Sequence, residues 1–243
     1  MSERVDKTIG SLFSGIGGLE LGLEREGFGP TLWQIEIDPN RRRILAKHWP
    51  KTERYADVCG AYKLPKVGIL CGGFPCQDVS DASRGRGGGI TGSKSGLWKE
   101  YARIVCEVSP RFVVVENVSG AAIRKWLPTV RRDLHVLGYR TRAFRIDARD
   151  VGAPHARARI FVIGDSDSKG QSARSFNAQM AGMQETSRLG GHWRKPKPRT
   201  LRMAHGIPGK LDRVKMLGDA VVPECAQLVG RILKIMIMQS EEV

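Results

Sequence analysis

The segment Gly73-Phe74-Pro75-Cys76-Gln77 places a thiol directly after a proline, at the end of the apolar run Val67-Gly68-Ile69-Leu70-Cys71. A glycine-bounded run of this kind reads as a buried parallel strand. Open α/β sheets carry their chemistry just past such strands, at the carboxyl edge. Proline fixes the backbone ahead of the sulfur and helps present it. A cysteine taken alone is more often a buried structural residue, and a second group shifts that weighting. Glu116-Asn117-Val118 also closes a buried apolar run, so Cys76 and Glu116 should face one crevice. A thiolate there can attack a carbon while the carboxylic acid donates a proton to the same substrate. Burial would raise the carboxyl pKa and let it donate near neutral pH. Taken singly, Glu116 would cap the next helix, and Arg157 and Arg159 would be phosphate contacts or a solvated strand edge.

A second constellation lies nearer the N-terminus. Phe13-Ser14-Gly15-Ile16-Gly17-Gly18-Leu19 follows a first strand and opens a helix. Glycines in such a turn let the backbone approach a bound cofactor. Glu36, followed by Ile37, ends the second strand about 20 residues on, where an acidic residue can hydrogen-bond the ribose of an adenosine-type cofactor. Asp57-Val58 follows a third short segment and could read the adenine edge; a solvated loop aspartate is an equal alternative.

The elements that would position these residues alternate. Strands are expected over 8–13, 32–37, 67–71, 111–116, 139–146 and 160–163. Helices are expected from Leu19 to Gly27 or Gly29, from Asp38-Pro39 through His48, and over 97–108 and 121–137, the last closed by Gly138. Asp38-Pro39 supplies an N-cap followed by proline at the first helical position. The pattern predicts an α/β fold, a doubly wound and mostly parallel sheet. Residues 80–96, rich in Gly, Ser and Arg, read as a long functional or disordered loop. Residues 165–215 lose periodicity and read as a linker or a small recognition module. An apolar helix over 223–238 should return to the main sheet. The expected organisation is a catalytic and cofactor-binding domain at 1–164, a recognition region at 165–213 and a closing segment at 214–243.

The chain has 243 residues and a net charge of +15. The charge is unevenly placed. Residues 1–123 are close to balance, with 17 basic and 14 acidic residues, whereas 124–159 hold 10 basic and 3 acidic and 188–215 hold 9 basic and 1 acidic. Two basic blocks in the second half are the footprint expected for a polyanion partner. No apolar run is long enough to span a membrane, and the N-terminus lacks the apolar core of a signal peptide. Five scattered cysteines with no Cys-x-x-Cys pair argue against zinc and disulfides and fit a reducing cytoplasm.

Taken in order, these motifs resemble the DNA (cytosine-5) methyltransferase family, which uses S-adenosylmethionine. The matching residues are the turn at 13–18, Glu36 and Asp38, Asp57-Val58, Gly-Phe-Pro-Cys-Gln at 73–77 with Ser80, and Ser95-Gly96-Leu97. Glu116-Asn117-Val118, His155-Ala156-Arg157-Ala158-Arg159 and Gly218-Asp219-Ala220-Val221 complete the set. The resemblance implies a Rossmann-like methyltransferase sheet and definite roles. Cys76 would attack C6 of a cytosine flipped out of double-stranded DNA. Glu116 would hold and protonate N3, Arg159 would bind the base oxygen, and Arg157 would support the site. The cofactor would lie against Phe13, Ser14, Gly15, Gly17, Gly18, Leu19, Glu36, Ile37, Asp57, Val58, Pro75, Leu97, Asp219 and Ala220, with no metal. Gln77, Ser80, Ser83, Arg84 and Arg86, with Arg194, Lys195, Lys197 and Arg199, would contact DNA. A monomer is implied, with a cognate restriction endonuclease as a further partner.

Departures from the family pattern set further expectations. Gly68 replaces a frequent aspartate, which should matter for packing, and His155 replaces the usual glutamine. Asp219 replaces a near-constant asparagine; an ionised aspartate only accepts hydrogen bonds, so Asp219→Asn is expected to tighten cofactor binding. The recognition region is short, about 166–200, which suggests a short or relaxed target sequence or a truncation that lost specificity. Two alternatives stay open on the same scaffold, a catalytically weak DNA-binding remnant and a tRNA cytosine methyltransferase. A nicotinamide-dependent oxidoreductase would explain the glycine turn and leave Cys76, Glu116 and the basic blocks without a role.

Overall fold

In a computed structural model, the described residues are 6–75, 96–166 and 217–241. The apolar runs become β1 (Ile9–Leu12), β4 (Ile69–Gly73) and β5 (Phe112–Val118), buried almost throughout. With β2 (Thr31–Ile35), β3 (Glu53–Tyr55), β6 (Arg140–Asp147) and β7 (Ala158–Asp165) they form one seven-stranded sheet in the order β3-β2-β1-β4-β5-β7-β6. Strands β1 to β5 run parallel. Strand β7 is antiparallel to both of its neighbours. The connection from β6 to β7, residues 148–157, is too short for the crossover of a dozen or more residues that a parallel neighbour needs. The expected mostly parallel sheet is therefore present, with one reversed strand near its edge.

Helices cover both faces, as two separate cores record. Alternation along β5 sends Val113 and Val115 to one face and Phe112 and Val114 to the other. The first face packs on α3 (Gly96–Val108) and α4 (Ile123–Val136), through Trp98, Tyr101, Ile104, Trp126 and Leu134. The second packs on α1 (Gly18–Arg25) and α5 (Pro223–Glu241), the predicted C-terminal helix. Helix α2 (Pro39–His48) begins as the sequence predicts, with Asp38 accepting from the backbone N–H groups of Asn40 (2.8 Å) and Arg41 (3.4 Å). Gly138, at φ 90°, closes α4. A Cβ on Gly68 would run into the backbone of Asp6, so this departure serves packing, as expected.

Small residues let α1 and α5 approach closely. A Cβ on Gly22 would overlap the carbonyl of Pro223, the Cβ of Ala226 and the backbone N of Gln227. Two of these are backbone atoms and cannot rotate away. Gly22→Ala should therefore cost about 1–3 kcal/mol, measured as a lower urea midpoint with unchanged slope.

The strand order reverses between β1 and β4, and ligands of open α/β sheets bind beyond the carboxyl ends at such a point. The glycine turn after β1, Glu36 after β2, Pro75 after β4 and Glu116 near the end of β5 all lie on that edge. Because β7 is reversed, its start lies on the same edge: Val118 pairs with Arg159 and Asp147 with Ala158.

Candidate active site at the carboxyl edge of the sheet

The edge has two neighbouring halves. On the β1–β2 side the chain turns sharply, with Phe13 at φ 53°, Gly15 at φ 59° and Gly17 at φ 86°. A left-handed phenylalanine is uncommon and marks a constrained turn. The ring of Phe13 stacks on Tyr101 at 6.5 Å, while the Ser14 N–H donates to the Ile35 carbonyl (3.0 Å). The three glycines do different work. A Cβ on Gly15 would meet nothing, whereas one on Gly17 would strike the Trp49 ring and one on Gly18 the Val221 carbonyl. Only Gly15 borders open space; Gly17 and Gly18 allow close internal packing. The Leu19 side chain is core, which leaves its amide in the first turn of α1 as the part that can meet a ligand.

Glu36 is buried, and both its oxygens are engaged. Oε2 accepts from the Gly15 N–H (2.8 Å) and Oε1 from the Asp38 N–H (2.9 Å). The carboxylate thus ties the glycine turn to the start of α2 and retains further lone pairs for a hydroxyl donor. Beside it Ile37 is 73% exposed, a bare apolar side chain next to a buried acid. Asp57 is exposed and accepts from the Cys59 N–H (2.9 Å), while Val58 is core. Leu97 packs at the rim of the first core, and Pro75 is exposed at the end of β4.

On the β4–β5–β7 side the structure brings Glu116 and Arg159 together. Arg159 Nε lies 3.0 Å from Glu116 Oε1, and both side chains are largely buried. Burial pushes the Glu116 carboxyl up to about 7, against the opposing pull of Arg159 and Arg157. Arg157 donates from Nη2 to the Ala220 carbonyl (2.8 Å), and its backbone N–H donates to Asp147 (3.2 Å). Asp147 also takes hydrogen bonds from the Arg149 backbone and guanidinium, which hold its carboxyl well below the usual range. It is the N-cap of the 3-10 turn Ala148–Val151 and anchors the approach to β7.

Sequence reasoning gave no individual role to three residues here. Asn117 is buried and donates from Nδ2 to the Phe74 carbonyl (3.1 Å), so β5 holds the chain as it leaves β4 two residues before Cys76. Asp147 sits among arginines that mask it in sequence. Gly73 is the third: a Cβ there would stand 2.5 Å from Glu116 Oε2. Gly73→Ala should displace that movable carboxylate rather than unfold the strand. The expected result is a 10- to 100-fold loss of kcat, roughly what a misplacement of about 1 Å costs, with stability changed by less than about 1 kcal/mol. Kinetics alongside a denaturation curve checks both.

Cys76, Gln77, Ser80, Ser83, Arg84, Arg86, Arg194, Lys195, Lys197 and Arg199 lie outside the described residues, as do the loop at 80–95 and nearly all of the recognition region. Asp219 is described, and it pairs with Arg41, with Oδ2 2.5 Å from Nη2. The expectation that Asp219→Asn tightens binding rested on a second negative charge near the cofactor, and the Arg41 guanidinium offsets that charge.

A seven-stranded sheet with one reversed strand near its edge, and a glycine turn at its switch point, is the fold of the S-adenosylmethionine-dependent methyltransferases. Residues 7–201 match the C-5 cytosine-specific DNA methylase family, and the chain belongs to that family. Among curated relatives, it is 37% identical over 165 residues to the Type II methyltransferase M2.BsuMI of Bacillus subtilis, covering 63% of this chain and 40% of that one. It is 33% identical over 170 residues to M.NgoBI of Neisseria gonorrhoeae, covering 66% and 51%. The chain thus spans about half or less of the length of these relatives. A DNA modification methyltransferase encoded within an E. coli prophage has a similar structure, with a TM-score of 0.56 and 26% identity over 70% of this chain and 50% of that one. The S. pombe Dnmt2 methyltransferase superposes with a TM-score of 0.54 at 17% identity over 72% and 53%, a likeness of fold alone.

Among the described residues, no group of three or more His, Cys, Asp and Glu could hold a metal, and no helix is long and apolar enough to cross a membrane.

Proposed function

We propose that this chain methylates C5 of cytosine in double-stranded DNA. The observation that carries this reading is the buried Glu116–Arg159 pair at the carboxyl edge, on the strands next to β4, whose end precedes Cys76 in the sequence. Cytosine C5 is a poor nucleophile, so the ring must first be activated. A Cys76 thiolate adding to C6 does this, provided N3 accepts a proton. Glu116, with its pKa near 7, can hold and supply that proton. Arg159 sits where it can bind the base oxygen while keeping Glu116 oriented. The target base must leave the duplex to reach these groups, because the attacked atoms are shielded within the stack.

The β1–β2 side suits S-adenosylmethionine, which supplies the methyl group when bound. The open space at Gly15 admits a ligand close to the backbone, Glu36 offers acceptors to ribose hydroxyls, and exposed Ile37 offers an apolar surface to an adenine ring. The basic blocks supply phosphate contacts. The relatives are Type II methyltransferases, which supports a cognate restriction endonuclease as a partner. A monomer acting on DNA is part of the same reading.

Bisulfite sequencing of plasmid DNA from a host expressing the chain tests the proposal. New 5-methylcytosine, absent from the same host without the chain, supports it; unchanged DNA overturns it. The same data report the target: methylation at a short or relaxed sequence agrees with the short recognition region, and methylation confined to one long site contradicts it.

A further inference from the structure

Asp219 is the one departure from the family pattern that introduces a charge beside the proposed cofactor site, and the structure gives that charge a partner. Arg41 lies in the first turn of α2, three residues after Asp38, whose backbone N–H is held by Glu36. Its side chain is only 16% exposed. Its Nε is buried without a hydrogen-bond partner among the described residues, with Asp38 Oδ2 at 3.9 Å. The principal bond of this guanidinium is therefore the one to Asp219, which comes from a distant part of the chain. Segment 219–221 is held at two further points: the Val221 carbonyl fills the space above Gly18, and the Ala220 carbonyl accepts from Arg157. A short stretch of chain thus touches the glycine turn, the start of α2 and Arg157.

We infer that Arg41 and Asp219 form an ionic clasp that seats segment 219–221 against the glycine turn, and that Arg41 is a positioning residue for S-adenosylmethionine. The inference rests on the cofactor reading proposed above. An aspartate is acceptable at 219 because Arg41 neutralises it. Removing Arg41 leaves a carboxylate uncompensated beside the proposed cofactor site and frees the segment. Asp219→Asn keeps an amide oxygen as acceptor for Arg41 but loses the ionic attraction, so it loosens the segment without adding repulsion. The two losses are therefore unequal, and they are coupled. Asp219 is 55% exposed and solvent screens part of the pair, so its contribution to stability is small; the clasp acts on cofactor binding, through the charge left at 219 when Arg41 is removed.

The test is calorimetric titration of the full chain with S-adenosylhomocysteine. The variants are Arg41→Gln, Asp219→Asn, the double variant and Arg41→Lys, each checked for folding by its melting curve. Arg41→Gln should weaken binding about tenfold and Asp219→Asn about threefold. The double variant should return to the level of Asp219→Asn alone, and Arg41→Lys should keep most of the parent affinity. At saturating cofactor the kcat of Arg41→Gln should fall less than threefold, because Asp147 holds the Arg157 backbone independently of the segment, whereas KM for the cofactor should follow the affinity. Parent-like affinity in Arg41→Gln, additive losses in the double variant, or tighter binding by Asp219→Asn overturns the clasp while leaving the functional reading intact. A parent chain that does not bind S-adenosylhomocysteine overturns both.

Discussion

Cys76→Ala should abolish cytosine methylation, with methyl transfer to DNA reduced by about 10⁴-fold or more, while cofactor affinity stays within about twofold of the parent. Removing the nucleophile from an enzyme that works through a covalent intermediate forfeits most of the rate enhancement, as nucleophile deletions in other enzymes show. The residual activity is small for a specific reason. Proximity and base binding survive the substitution, but an unactivated C5 stays a weak nucleophile however well it is placed. DNA carrying 5-fluorocytosine separates this role from simple damage to the fold. With the C5 proton replaced by fluorine the adduct cannot resolve, so the parent chain and S-adenosylmethionine should give a complex that survives denaturing electrophoresis. Cys76→Ala should give none and should still bind the same DNA. A trapped complex with the variant, or methylation above about a hundredth of the parent rate, would remove Cys76 from its assigned role. The same assay separates an active enzyme from a catalytically weak DNA-binding remnant, since a remnant binds but does not trap.

The parts of this site that could be read from sequence are those encoded by local pattern. Short apolar runs gave β1, β4 and β5, and with them the edge on which Pro75 and Glu116 stand. Asp38-Pro39 announced α2 to the residue, because a capping side chain and an N1 proline are local signals. Contacts made across the fold were not legible. Arg41 is the first of three consecutive arginines, and nothing in that run distinguishes the one that meets a carboxylate 178 residues away. Gly17 and Gly18 were read as cofactor glycines because their spacing allows it; that a tryptophan ring and a carbonyl fill their space is a property of packing. The reversal of β7 follows from a connection length that was readable in principle. It places Arg159 opposite Val118, and so beside Glu116, where a parallel strand would have carried it to the far edge.

Glu116→Gln should lower kcat by about 10²- to 10⁴-fold, the usual range for loss of a general acid, and should remove one limb of the pH profile. Glutamine fills the same space and can still hydrogen-bond to a base, but it has no proton to give. The sign of the pH effect follows from the direction of the shift. Burial raises the carboxyl from its ordinary value of 4.5 to about 7, because the desolvation of the charged form outweighs the attraction of Arg159 and Arg157. The proton-donating form therefore predominates below about pH 7 and is lost above it. For the parent chain kcat/KM should fall with unit slope on the alkaline side of about 7, and that limb should be absent from the residual activity of Glu116→Gln. Arg159→Gln should lower the plateau but move the limb to higher pH, since a charge that favours ionisation has gone. Stability obeys the same linkage. A carboxyl whose folded pKa is raised contributes stability that is complete below its unfolded pKa and is lost as the pH rises through about 7. The parent should thus lose stability between about pH 4.5 and 7 through this group, and Glu116→Gln should narrow the difference. Rate profiles and urea midpoints taken from pH 5 to pH 9 check both statements. An alkaline limb that persists in Glu116→Gln would assign the proton to another group.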